Sequence, residues 1–276
     1  MIEVSHLSKA FHHKVVLKDI SFNLDNQIYG LLGPNGSGKT TLFRVITNLI
    51  KKDKGQISHQ NTLAIGYLPQ KFNVLEELTV FEQMYYFSSL KKIPKQQRKE
   101  MIFHILQTVH LEKQINEKCS HLSGGMLRRL GIAQAIMGEP ELVLLDEPTA
   151  GLDPEERLHF KSILKSIEGK YPIILSTHIV EDIEDVCQNI LVLYEGQLLF
   201  NGHIEDFRNI TDNRVYEIPI SILDDISQDN YFITKYINKD YVRIISFYKN
   251  IFEKNVPACI EDSYMYIIRK YEKFKM

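Results

Sequence analysis

Three kinds of patterning follow one another along the chain. Near the N-terminus "IEV" and "ISFNL" alternate apolar with polar positions, and polar turns separate them, which predicts short strands. "IYGLLG" is an apolar strand that runs straight into a glycine-rich segment, and "KTTLFRVITNLI" then predicts a helix. "LAIGYLPQ" predicts a strand ending at Gln70. From Leu78 to about Cys119 the spacing becomes helical and lysine-rich, with a break at Pro94, and predicts a separate helical lobe. Helical spacing returns at Leu127, Leu130, Ala133 and Met137, behind "LSGG". "ELVLLDEP" and "YPIILSTH" predict two buried strands, the first ending in two carboxylates and the second in His178. "ILVLYEGQLLFNG" predicts a hairpin turning at Glu195-Gly196.

After about Asp212 the character shifts. "RVYEIPI" and "YVRIISFY" predict strands, and "EDSYMYIIRKYEKF" predicts a helix with Tyr264, Ile267, Ile268 and Tyr271 on one face. A tail this short needs a neighbour to pack on.

Composition narrows the class. The 276 residues are 44% hydrophobic and 25% charged, as in a folded globular chain. A net charge of -2, from 33 basic and 35 acidic residues, speaks against a general nucleic-acid binder. Cys119, Cys187 and Cys259 share no motif and read as free thiols. "MIEVSHLSKAF" has no apolar signal core, and no apolar run reaches the length of a membrane span, about 18 residues. Any place at a membrane would come through a partner.

The chemistry is concentrated in a few segments. "GPNGSGKTT" meets G-x-x-x-x-G-K-[ST] with Gly33, Gly38, Lys39 and Thr40, a match expected by chance in about 1% of chains this long. With a strand before it and a helix after it, this is the context of a phosphate loop. Small residues (Gly33, Pro34, Asn35, Gly36, Ser37, Gly38) let backbone N–H groups wrap phosphates. Lys39 would reach the β- and γ-phosphates, and Thr40, with Thr41 beside it, would offer its hydroxyl to Mg²⁺.

Asp146 and Glu147 end an apolar strand, where α/β sheets open onto their ligands. Adjacent strand residues point opposite ways, so Asp146 suits Mg²⁺ support and Glu147 suits polarising a water. His178 ends the second apolar strand and could hydrogen-bond a γ-phosphate. Gln70 could reach Mg²⁺ or water. Phe11 offers its ring to a purine or to the core. Ser123, Gly124 and Gly125, at a second helix start, make another anion seat.

"GPNGSGKTT", "YLPQ", "LSGGM", "LVLLDEPTAGLDP" and "STH" stand in the order found in the nucleotide-binding subunits of ATP-binding cassette (ABC) transporters, and residues 1 to about 205 resemble that family. The resemblance implies an α/β, P-loop NTPase fold: a RecA-like core, an antiparallel β subdomain and a helical signature subdomain at about 75–135. This nucleotide-binding domain would span 1–210, and a small α+β extension 211–276. It further implies that Gln70 is the Q-loop residue, that Asp153 lies in the D-loop, and that Ser123, Gly124, Gly125 and Met126 form a signature that closes over the partner chain's ATP. ATP and Mg²⁺ would be the cofactors, with Thr40, Gln70 and Asp146 at the metal.

A second cassette, as a homodimer, and an integral membrane permease would be the partners, at the cytoplasmic face of the membrane, with no nucleic acid. Two positions depart from the family pattern. Met126 replaces the usual glutamine, and Phe11 replaces the common tyrosine. The tail resembles that of cassettes serving separately encoded ABC-2-type permeases, often exporters. No "TEVGERG"-like stretch precedes the signature, which fits a stand-alone subunit. The alternative is a non-transport ABC ATPase acting on ribosome or nucleic acid. Such proteins usually carry fused cassettes, coiled-coil insertions or long basic arms.

Overall fold

The structure, a computed structural model, describes residues 2–58, 63–252 and 255–275. The chain divides into two compact units, Met1–Leu198 and Leu199–Met276. The division falls before the shift in sequence character near Asp212.

The first unit opens with β1 (Ile2–Phe11) and β2 (Lys14–Leu24), an antiparallel pair. β3 (Ile28–Leu32) leads through the glycine-rich loop into α1 (Lys39–Ile46). β4 (Lys54–Ser58) returns to pair with β1, giving a small sheet in the order β2-β1-β4. β5 (Ile65–Leu68) precedes the helical lobe of α2 (Val80–Leu90), α3 (Lys95–Thr108) and α4 (Gly124–Ile136). The chain continues through β6 (Leu142–Asp146), α5 (Pro154–Ile167), β7 (Ile173–Thr177), the short α6 (Glu181–Glu184) and β8 (Asn189–Tyr194).

Local signals account for several boundaries. α2 starts at a capping box, with Thr79 accepting from Glu82 N and the Glu82 carboxylate accepting from Thr79 N. Pro94 stands at the N-cap of α3, where a missing N–H costs nothing. α1 stops earlier than the sequence predicts. Thr47 closes it, and Asn48 follows at φ 57°, a left-handed conformation that asparagine tolerates.

β5, β6, β7, β3 and β8 form parallel pairs in that order. Strands with helices on both faces are buried throughout, so "LVLLD" and "IILST" begin as apolar runs, turn polar only at their C-terminal ends, and have every residue buried. Leu42, Phe43 and Ile46 of α1 join Leu144 and Ile174 to the inward side chains of β1 and β2 in one core.

β9 (Gln197–His203) follows β8 through Glu195 and Gly196, both at positive φ, as a two-residue turn of the hairpin type requires. The second unit continues with α7 (Ile204–Arg208), β10 (Val215–Pro219), β11 (Tyr231–Tyr236), β12 (Tyr241–Ser246) and α8 (Ile260–Lys275). Its sheet runs β10-β12-β11, all antiparallel. β11 lies on a segment in which the alternation predicts no strand.

The second unit has cores of its own on the two faces of that sheet. Tyr216, Val242 and Ile244 build one, and Val215, Ile245 and Tyr266 build the other. The buried stripe of α8 therefore runs through Ile260, Ser263 and Tyr266 rather than the face of Tyr264 and Tyr271. Two polar contacts fix that rotation. The Ser263 hydroxyl shares a 2.8 Å hydrogen bond with Thr211, and buried Asp262 is paired with Arg243 at 2.7 Å.

Candidate functional site

Strand register assembles the site. Leu32 pairs with Thr177 and Asp146 pairs with Ser176, so β3, β6 and β7 end level with one another. The residues that follow, Gly33, Glu147 and His178, therefore leave the sheet at one edge.

Sterics hold the glycine-rich loop. A Cβ at Gly33 would lie 2.3 Å from the carbonyl oxygen of Leu193. Gly38, the N-cap of α1, sits at φ 114°, open to glycine alone in practice. The Ser37 hydroxyl is buried with no hydrogen-bond partner. Lys39 is buried too, and its amine donates to Gly33 O at 2.6 Å and Pro34 O at 3.4 Å.

The same amine stands 3.3 Å from Oε1 of Glu147. Oε2 of Glu147 lies 2.9 Å from Nδ1 of His178. Glu147 is 4% exposed and has φ 49°. For a residue with a Cβ that conformation costs on the order of 1–3 kcal/mol, which the backbone bonds from Glu147 N to Ser176 O and Oγ help to offset.

Asp146 is fully buried. Its Oδ1 accepts from Ser176 Oγ at 2.7 Å, and its Oδ2 has no donor in hydrogen-bonding geometry. Burial pushes the Tyr67 hydroxyl up to about 12, and the nearby Asp146 charge pushes the same way.

Pro34, Asn35, Gly36, Gly38, Lys39, Thr40, Thr41, Gln70 and Glu147 line one cavity of about 450 Å³, joined by Val16. Phe11 is not among the lining residues. It pairs with Lys14 at the end of β1, is 39% exposed, and has the Lys9 amine 5.3 Å from its ring centre.

The serine–glycine segment is elsewhere. Ser123 caps α4, its hydroxyl accepting from Met126 N at 3.1 Å. Gly124 faces open space, whereas a Cβ on Gly125 would lie 2.2 Å from Cδ of Glu156. Gly124 borders a second cavity, of about 280 Å³, together with Gln70 and Arg128. Asp153 caps α5, accepting from Glu156 N at 2.8 Å.

Comparison with known proteins identifies the family and the fold. The sequence model of the family described as ABC transporter matches residues 17–150. The Nod factor export ATP-binding protein I of Rhizobium etli is 36% identical over 218 residues, covering 74% of this chain and 69% of that one. The chain belongs to the ABC transporter family. Its ATP-binding subunits also include the linearmycin resistance protein LnrL of Bacillus subtilis, 31% identical over 73% of this chain and 69% of that one. A dimeric bacterial ABC transporter cassette, MJ0796, superposes with a TM-score of 0.65 at 25% identity, over 74% of this chain and 98% of that one. The fold is that of the ABC ATPase cassettes.

Within this ABC subunit, sequence reasoning missed Val16, Ser176 and Arg128. Ser176 had a visible signal, a hydroxyl that follows the apolar run Ile173–Leu175 within a buried strand. Val16 and Arg128 carry no mark that separates them from ordinary strand and helix residues.

Proposed function

We propose that this subunit binds and hydrolyses Mg²⁺-ATP and thereby powers a membrane exporter whose permease is a separate chain. The observation that carries the reading is Glu147, buried between Lys39 and His178 on the wall of the phosphate-loop cavity.

Backbone N–H groups of residues 35–40 would cradle the phosphates, as glycine-rich loops at helix starts do. The Lys39 amine would turn from the carbonyls of Gly33 and Pro34 to phosphate oxygens. Glu147 would accept the proton of the attacking water, with His178 holding the carboxylate in place through Nδ1.

Mg²⁺ takes oxygen ligands and keeps few from protein. Oδ2 of Asp146, buried without a donor, and the Thr40 and Gln70 side chains on the cavity wall fit that demand. Bound there, the ion would neutralise charge on the phosphates. Val16, on the cavity wall, would give the adenine an apolar contact, and Phe11, on the same hairpin, is the ring that would be available for stacking.

Ser123 and Gly124 do not line the phosphate-loop cavity, which supports a site completed by a second copy of the chain. Phosphate oxygens would meet the Ser123 hydroxyl and the open backbone at Gly124. Among the described residues no helix is long and apolar enough to cross a membrane, so the membrane path would belong to the permease. Relatives named for Nod factor export and linearmycin resistance support the outward direction. Residues 211–276 would be an accessory segment outside the 1–210 nucleotide-binding domain.

The test is nucleotide titration and steady-state turnover of Lys39→Ala. Loss of both supports the reading, and wild-type turnover in that variant overturns it.

A further inference from the structure

Arg128 stands in the second turn of α4, just past Ser123 and Gly124. Its guanidinium reaches across to the chain leaving β5. It donates to Gln70 O at 2.6 Å and to Pro69 O at 3.3 Å, a contact between residues 58 and 59 positions apart. Residues 69–75 have no helix or strand of their own. Gln70 faces two ways: it lines the phosphate-loop cavity, and with Arg128 and Gly124 it lines the second one. Arg128 is also near Asp146, whose charge offsets part of the pKa lowering that burial imposes on the guanidinium.

We propose that Arg128 is a positioning residue for Gln70. A planar guanidinium can grip two successive carbonyls at once, and this grip sets where the Gln70 side chain enters the phosphate-loop cavity. The first turns of α4 are thereby tied to the nucleotide site of the same chain. Any displacement of the Ser123–Gly124 end of the helix moves the anchor of Gln70. The inference rests on the reading that this cavity hydrolyses ATP with Gln70 at its wall.

A double-mutant cycle separates positioning from general support of the helical lobe. Arg128→Met, Gln70→Ala and the double variant are compared for kcat, for KM of ATP and for the Mg²⁺ concentration giving half-maximal rate. Arg128→Met should lower kcat roughly ten- to hundredfold, the scale of a small misplacement in an active site. Its KM for ATP should stay within about threefold, because the phosphate loop is untouched. The double variant should be no slower than Gln70→Ala.

Hydrogen exchange on the nucleotide-free protein gives a readout independent of turnover. Deuterium uptake in peptides covering 65–75 should rise in Arg128→Met and rise less in Arg128→Lys, which keeps a donor but not the fork. Arg128→Lys also serves if the methionine variant does not fold. Losses in kcat that multiply in the double variant would overturn the proposal, as would unchanged exchange across 69–75. If the wild-type protein has no ATPase activity, the functional reading fails, and exchange alone decides whether Arg128 holds the loop.

Discussion

Oε1 of Glu147 lies 3.3 Å from the Lys39 amine, and both side chains are 6% exposed. The angle is not that of a hydrogen bond, and this oxygen has no other partner. A buried carboxylate therefore stands against the one cation of the phosphate loop, where a phosphate would be drawn. Nucleotide and carboxylate would compete for the same charge, so ATP binding should loosen this pair and leave Glu147 free to face the water that the proposed mechanism has it activate.

Glu147→Gln should accordingly keep or tighten ATP binding while turnover falls about 10² to 10⁴-fold, the usual contribution of a positioned base. Titration with a fluorescent ATP analogue and a phosphate-release assay measure the two. More than a tenth of wild-type turnover would contradict the role.

Met126→Gln should leave turnover within a few-fold of wild type. Ser123 takes its hydrogen bond from the backbone N–H of residue 126, which the substitution preserves. The side chain therefore adds at most one polar contact, about 1 kcal/mol. A collapse in steady-state rate would assign Met126 a packing role.

Asp262→Ala should destabilise the second unit and spare nucleotide binding. The carboxylate is 3% exposed and receives Arg243, Cys259 N and the Cys259 thiol. Removing one partner of such a pair costs about 3–5 kcal/mol. Calorimetry should show the loss, and ATP affinity should be unchanged. A parallel loss of affinity would contradict the accessory role of this unit.

Lys91 supplies a pH test. Its amine caps the C-terminal end of α4, donating to Gln134 O at 2.9 Å and Met137 O at 2.7 Å. Burial lowers its pKa from 10.5 to about 8. Between those values the unfolded chain holds the proton more firmly than the folded one, so this group makes stability rise with pH across that window. The wild type should gain stability relative to Lys91→Met between pH 8 and 10.5, read from urea midpoints. Parallel curves would contradict it.

What the sequence made legible follows from where chemistry fixes residue type. Gly33, Gln70, Glu147 and His178 follow strand ends, which can be read from an apolar run that stops, and Pro34 to Thr41 are marked by the glycine-rich pattern that leads from β3 into α1. Ser176 and Arg128 act through contacts 30 and 58 positions away in the chain, which no local pattern encodes. The left-handed backbone at Glu147 has no sequence signature either. Helical spacing located α8 but not its buried face, because Asp262 and Ser263, polar in sequence, turn inward to Arg243 and Thr211.

The central claim is that each ATP is closed between the phosphate loop of one chain and the Ser123 segment of another. Two variants test it, both in a Glu147→Gln background that blocks turnover. Lys39→Ala leaves the Ser123 segment intact, and Ser123→Arg leaves the phosphate loop intact while filling the anion seat with bulk. Neither alone can form a complete site. In a mixed dimer, Lys39 of one chain faces Ser123 of the other and rebuilds a single site. ATP-dependent crosslinking between differently tagged chains should therefore exceed that of either variant with itself. Equal crosslinking in the mixture and in the separate variants would contradict the shared site.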